Sequence, residues 1–171
     1  MDKIKVLIDE EKLAEKIENI ANTINRDYSS NRDLVLICVL KGAIYFFSDL
    51  TKKIKRDVIL DFMKVSSYSG TESTGIINIK TDLSVDIQGK DVIIVEDIID
   101  TGLTLVKLKE YLKNKNPNSV KVAVLLDKKE RRTQNISPDY TCFTIEDKFV
   151  VGYGLDYDEK CRNLPYIGYF E

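Results

Sequence analysis

The sequence predicts an α/β domain: a mostly parallel twisted sheet flanked by helices on both faces, with a small C-terminal hood. Three observations carry that expectation. Apolar runs at residues 34–40, 92–95 and 120–126, the last interrupted only by Lys121, have the length and β-branched content of strands covered on both faces. Segments of helical periodicity alternate with these runs, the order that builds parallel sheets. From Lys128 onward the alternation fails, and Pro138, Gly152, Gly154, Pro165 and several tyrosines suit short strands and loops packed beside the sheet.

A chain of 171 residues suits one domain with a substantial core, spanning residues 1–171. The hood is formed mainly by about 128–171, with the N-terminal strand as a further candidate for it. Twenty-six basic against 28 acidic residues leave a net charge of −2, so no global field draws the chain to nucleic acid. The apolar runs are too short to span a bilayer, and the N-terminus lacks the apolar core and cleavage site of a secretory signal. Cys38, Cys142 and Cys161 are odd in number and widely spaced, as expected of reduced thiols in a cytoplasmic protein. The chain has no histidine. Serine–histidine hydrolysis is thereby excluded, and a zinc site loses its usual ligand.

After a short apolar stretch at 4–8, Asp9 is placed to cap a helix whose first turn holds Glu10 and Glu11. Leu13, Ile17, Ile20, Ala21 and Ile24 then recur at helical spacing, giving an amphipathic helix to about Asn25. The apolar strand 34–40 follows, is interrupted by Lys41-Gly42, and gives way to a helix over 43–50. Residues 58–65 alternate as a strand, 66–75 form a polar segment bounded by glycine, and 76–80 return as a strand. The strand 91–96 stops at two acids, a helix over 103–115 ends before Pro117, and 120–126 is again a buried strand. Tyr45-Phe46-Phe47 fits either core or an interface.

The chemistry concentrates after the strand at 91–96. Glu96, Asp97 and Asp100 fall at the carboxyl edge of the sheet, where open α/β folds bind ligands. The turn Thr101-Gly102-Leu103-Thr104 offers backbone N–H groups and two hydroxyls at a helix start, which suits a phosphate. Acids that would repel a bare phosphate instead suit ribose hydroxyls or a hard cation accompanying the phosphates. Leu40-Lys41-Gly42 is a second loop whose amides can face an anion.

The stretch 92–105 resembles the phosphoribosyl pyrophosphate signature of the type I phosphoribosyltransferases, and among them the hypoxanthine-guanine phosphoribosyltransferases. The resemblance runs from the Leu40 loop to Arg162 and includes the spacing between motifs. It implies that Glu96, Asp97, Asp100, Thr101, Gly102, Leu103 and Thr104 hold the ribose and its 5′-phosphate, with Asp100 as general base. It also implies that Leu40, Lys41, Gly42 and Arg162 hold pyrophosphate, the first two often across a cis peptide, with Arg132 a weaker candidate for the same anion. Lys128, Phe149, Val150 and Asp156 would contact the purine, and Glu96, Asp97 and Asp156 a magnesium ion. Ser67 and Tyr68 match the family's lid. Leu103 departs from the lysine that some relatives carry there.

The activity so implied is purine salvage. Ribose 5-phosphate passes from phosphoribosyl pyrophosphate to N9 of hypoxanthine or guanine, giving IMP or GMP, in a cytoplasmic homodimer or homotetramer. A lysine donates but cannot accept a hydrogen bond, so Lys128 favours a 6-oxo over a 6-amino purine. The rival readings are a nucleic-acid-binding regulator of the same fold and a transferase for xanthine or another base. The first needs a basic, aromatic-studded face, and Lys128-Lys129-Glu130-Arg131-Arg132 is short and contains an acid. A dinucleotide-binding oxidoreductase fails because no G-x-G-x-x-G follows any of the strands.

Overall fold

The structure is a computed structural model that describes residues 3–28, 31–67 and 77–171. Its elements run β1 (Ile4–Ile8), α1 (Glu10–Asp27), β2 (Leu34–Leu40), α2 (Ile44–Thr51), β3 (Ile59–Ser67), β4 (Ile77–Thr81) and β5 (Asp91–Ile99). There follow α3 (Leu103–Lys113), β6 (Ser119–Asp127), β7 (Tyr140–Thr144), β8 (Val150–Val151) and β9 (Ile167–Phe170). The main sheet has the order β4-β3-β2-β5-β6-β7, and every pairing in it is parallel except β3 with β4. A second, antiparallel sheet has the order β1-β9-β8.

Period-two alternation within the central strands explains why helices are needed on both faces. In β2, Leu34, Leu36 and Cys38 point into one core with α1 and α2, while Val35, Ile37 and Val39 point into the other with α3. Asp9 caps α1 by accepting from the Lys12 amide at 2.9 Å, and Leu13, Ile17, Ile20, Ala21 and Ile24 are the residues that helix buries. Phe46 and Phe47 are core, whereas Tyr45 is exposed and packs 6.0 Å from the Tyr153 ring. All three cysteines are free, and burial pushes the Cys38 and Cys142 thiols up to about 12. No described helix is long and apolar enough to cross a membrane.

Two expectations need correction. The strand β5 does not stop at the acid pair but continues to Ile99, because β6 keeps pairing alongside it through Glu96↔Val124, Ile98↔Leu126 and Ile99↔Asp127. Nor does everything after Lys128 lie in the hood. The strand β7 extends the main sheet in parallel with β6, and buried Tyr140 and Cys142 seat it under α1, where the Tyr140 hydroxyl donates to Asp27 at 2.6 Å. The hood sheet itself is formed by β8, β9 and β1.

Candidate active site

The direction of the connections locates the site. From β2 the chain crosses to β3 on one side, whereas β5 flanks β2 on the other, so the loops leaving β2 and β5 diverge. A crevice opens at such a switch point, at the carboxyl ends of the strands. A cavity of about 410 Å³ there is lined by Leu40, Lys41 and Gly42 from the β2 loop, Glu96 and Asp97 from β5, and Asp156 and Arg162 from the hood. A smaller cavity of about 100 Å³ adjoins it, shares Glu96, Ile98 and Thr104, and adds Asp100, Thr101 and Gly102. A cleft of about 480 Å³ lined by Asn25, Tyr28, Asp33 and Lys55 lies at the opposite edge, where the strands begin. It gathers none of the residues singled out in the sequence.

Glu96 and Asp97 are consecutive on a strand, so they would face opposite ways in an ideal pleat. Here both line the larger cavity. Burial and the neighbouring Asp97 charge push the Glu96 carboxyl well above its ordinary range. Burial also raises Asp97, despite its hydrogen bonds with Glu96 and the Ile98 amide and the charge of Arg162. An acid pair held this way is stabilised by a cation. Magnesium is commonly bound by one or two carboxylates completed by water and substrate phosphates, and Glu96 and Asp97 are two carboxylates that fit the protein's share of such a set. Among the described residues no group of three or more acids, cysteines or histidines is close enough to hold a metal without such help. Asp156 lines the same cavity, but its two oxygens accept from Arg162 Nη2 and the Glu159 amide, each at 2.9 Å.

The turn from Asp100 to Thr104 is held from behind. Gly102 sits at φ +88° before α3, where a Cβ would come within 2.7 Å of Ile136 and 3.0 Å of Arg132. The Leu103 amide makes a long contact of 3.4 Å to Thr101 Oγ1, and the first amides of a helix lack intrahelical partners, which suits an anion. Asp127, at the end of β6, is almost completely buried and needs a cationic partner. Arg132 supplies it through Nη2, and its Nε donates to the Asp100 carbonyl at 3.1 Å while Nη1 donates to the Ile136 carbonyl at 2.6 Å. Arg132 therefore does not line the cavity of Lys41, Gly42 and Arg162, and instead pins the turn.

The β2 loop and the hood meet closely. The peptide between Leu40 and Lys41 is cis. A Cβ on Gly42 would fall 1.5 Å from Asp97 Oδ2, and one on Gly154 2.0 Å from the Gly42 carbonyl. Glycine at both positions lets backbone, carboxylate and hood converge. Lys41 Nζ pairs with Glu159 Oε2 at 2.5 Å, and Arg162 reaches Asp156, Glu159 and the Gly154 carbonyl. The Arg162 Nε is buried without a partner among the described residues, an orphaned donor in the wall of the cavity.

On the other side, Lys128 is nearly buried at the end of β6, and its Nζ donates to Asp147 Oδ1 at 3.2 Å. Arg131 bridges Asp147 to Asp100, with Nη1 3.2 Å from Asp147 Oδ2 and Nε 3.0 Å from Asp100 Oδ1. Phe149 is 61 % exposed, and its ring makes a T-shaped contact with Tyr157 at 5.9 Å. Val150 is buried in β8. Of the predicted residues, Leu40, Lys41, Gly42, Glu96, Asp97, Asp100, Thr101, Gly102, Thr104, Asp156 and Arg162 line the two cavities, whereas Leu103, Lys128, Phe149 and Val150 line neither. Ser67 ends β3, whereas Tyr68 lies outside the described residues. Sequence reasoning missed Arg131, Asp147, Glu159 and Asp127. Asp127 alone carried a signal, as an acid closing an apolar strand.

Comparison with known proteins agrees with this geometry. Residues 5–158 match the family described as Phosphoribosyl transferase domain. The hypoxanthine-guanine phosphoribosyltransferase of Streptococcus pneumoniae is 50% identical over 165 residues, covering 96% of this chain and 91% of that one. Its counterpart in Aquifex aeolicus is 45% identical, with 96% and 93% covered. The crystal structure of a hypoxanthine-guanine phosphoribosyltransferase from Bacillus anthracis superposes with a TM-score of 0.94 at 46% identity, covering 100% of both chains. A switch-point crevice with paired acids, an amide cradle and opposed cations, in a chain this similar over its whole length, has one reading: the chain belongs to the phosphoribosyl transferase domain family, among the hypoxanthine-guanine phosphoribosyltransferases.

Proposed function

We propose that the chain transfers the 5-phosphoribosyl group from phosphoribosyl pyrophosphate to N9 of hypoxanthine or guanine, giving IMP or GMP and pyrophosphate. The observation that carries this reading is the single cavity in which Glu96 and Asp97 face Lys41 and Arg162, beside the amide turn of Asp100 to Thr104. Relatives of that name at 45–50% identity across nearly the full length support it.

The parts divide by charge. The turn at Thr101, Gly102, Leu103 and Thr104 takes the 5′-phosphate, using backbone donors, so the leucine at 103 removes none of them. Glu96 and Asp97 face the ribose hydroxyls and hold magnesium, with Asp156 at the far side of the cavity. When bound, the ion neutralises the leaving pyrophosphate. Lys41, Gly42 and Arg162 bind that pyrophosphate, and their shared lining of the larger cavity supports the assignment.

The purine lies against Phe149, its edge on the main chain at Val150 and its 6-oxo group on Lys128. As the bond from C1 to the pyrophosphate oxygen breaks and the bond to N9 forms, Asp100 accepts the proton leaving N7. Both Lys128 and Asp100 must first exchange their ion-pair partners, Asp147 and Arg131, for the base. The same reading makes the protein a cytoplasmic homodimer or homotetramer of single-domain subunits, and the exposed Ile44, Tyr45, Leu60 and Phe62 support an assembly.

A panel of hypoxanthine, guanine, xanthine, adenine and uracil, each with phosphoribosyl pyrophosphate and magnesium and scored by nucleotide formed, tests the proposal. Product from hypoxanthine or guanine, with none from adenine or uracil, is expected. Turnover of xanthine alone, or of no base, would refute it.

A further inference from the structure

The cations assigned to pyrophosphate are already occupied from within the chain. Glu159 places Oε2 2.5 Å from Lys41 Nζ and Oε1 3.2 Å from Arg162 Nη2, so one carboxylate spans the two groups. The geometry points to Glu159 as an internal stand-in for the pyrophosphate anion, a residue that must be displaced from Lys41 and Arg162 before the donor can bind and that thereby sets the affinity for it. The inference rests on the pyrophosphate reading of that pair.

The backbone gives an independent argument. Tyr157 and Lys160 exchange hydrogen bonds of 3.1 and 3.0 Å across a two-residue turn, Asp158-Glu159. Both turn residues have positive φ, +50° and +62°, as a type I′ turn requires. Asparagine, aspartate and glycine tolerate that region, but glutamate gains nothing locally from it. The turn is further tied down because the Glu159 amide donates to Asp156 Oδ2, which leaves the side chain aimed at the cations. Glutamate thus stands where glycine would suit the fold better, and among the described residues its carboxylate contacts the cations of the site, Lys41 and Arg162. Those contacts hold the Glu159 carboxyl below its ordinary range, chiefly through Lys41.

A site whose binding-competent state is a fraction of the population binds more weakly by that fraction. If the carboxylate occupies the cations in about 70–90% of free molecules, removing it tightens pyrophosphate binding about three- to tenfold. Loss of a merely structural residue would weaken binding instead, so the direction of the change separates the two roles.

The test is calorimetric titration of inorganic pyrophosphate, at fixed magnesium, into the wild type, Glu159→Gln, Glu159→Gly and Lys41→Met. Both Glu159 variants should bind about three- to tenfold more tightly, with the KM for phosphoribosyl pyrophosphate falling in step. Glu159→Gly should also melt higher, because glycine relieves the turn. Unchanged or weaker binding by both Glu159 variants, while Lys41→Met still loses affinity, would overturn the inference and leave the site assignment intact. If Lys41→Met binds pyrophosphate as well as the wild type, the assignment itself falls and takes the inference with it.

Discussion

Replacing Arg132 by methionine tests whether the phosphate turn is held from inside the protein. The side chain of Asp127 is only 2% exposed and that of Arg132 14%, so water cannot compensate the acid once its partner is gone. Removing one member of a buried pair costs about 3–5 kcal/mol, because the remaining charge stays buried and uncompensated. For a domain of this size each kcal/mol lowers Tm by about 2–4 °C, so Arg132→Met should melt about 6–20 °C lower by scanning calorimetry. Arg132 also donates to the Asp100 and Ile136 carbonyls, so the turn should loosen and the affinity for phosphoribosyl pyrophosphate should fall. Adding Asp127→Asn removes the stranded charge, and the double variant should be more stable than Arg132→Met alone, with a coupling of about 0.5–3 kcal/mol. A single variant that melts within about 2 °C of the wild type, or strictly additive losses in the double, would show that Arg132 is not what balances Asp127.

Asp100→Asn should keep its Tm, since among the described residues the carboxylate pairs with half-exposed Arg131, yet lose about 10²–10⁴-fold in turnover; near-normal nucleotide formation would remove Asp100 as the base. Phe149→Ala should raise the KM for hypoxanthine by the loss of about 1–3 kcal/mol of base stacking while leaving pyrophosphate affinity unchanged, as steady-state kinetics and titration can show. Asp61 is buried, which raises its carboxyl, but the Phe62, Val85 and Ser84 amides and the Ser84 hydroxyl outweigh burial and hold it below the ordinary value of 3.8. Its contribution is therefore present above that value and lost as pH falls through the lower folded one. Asp61→Asn should flatten the acid limb of the stability curve measured by urea unfolding, and an unchanged limb would rule this carboxylate out as a source of acid unfolding.

Local patterns in the chain were enough for most of the architecture and for the motif at its centre. The capping acid and the 3.6-residue repeat of α1 mark the same five side chains that the helix buries, because amphipathicity is a property of consecutive residues. Glu96, Asp97, Asp100 and the Thr101–Thr104 turn were legible for a similar reason: one strand, one bend and one helix start lie within a short stretch of chain, and their electrostatics can be argued without knowing what packs on them.

Partnerships between distant segments were settled only by folding. Lys41 and Glu159 are 118 residues apart, and Asp100 and Arg131 are 31 apart. No periodicity relates such positions, and a charged residue reads alike whether it meets solvent, a ligand or another charge. Arg132 shows the consequence. The resemblance made it a weaker candidate for an anion ligand, but the burial of Asp127, a tertiary fact, drew it inward. Likewise β7 joined the main sheet because α1 left a covered edge for Tyr140 and Cys142, and β5 ran past its acids because β6 continued beside it. Chain chemistry decides which groups can meet a sugar phosphate. Packing decides which of them are free to do so and which are first held by a neighbour.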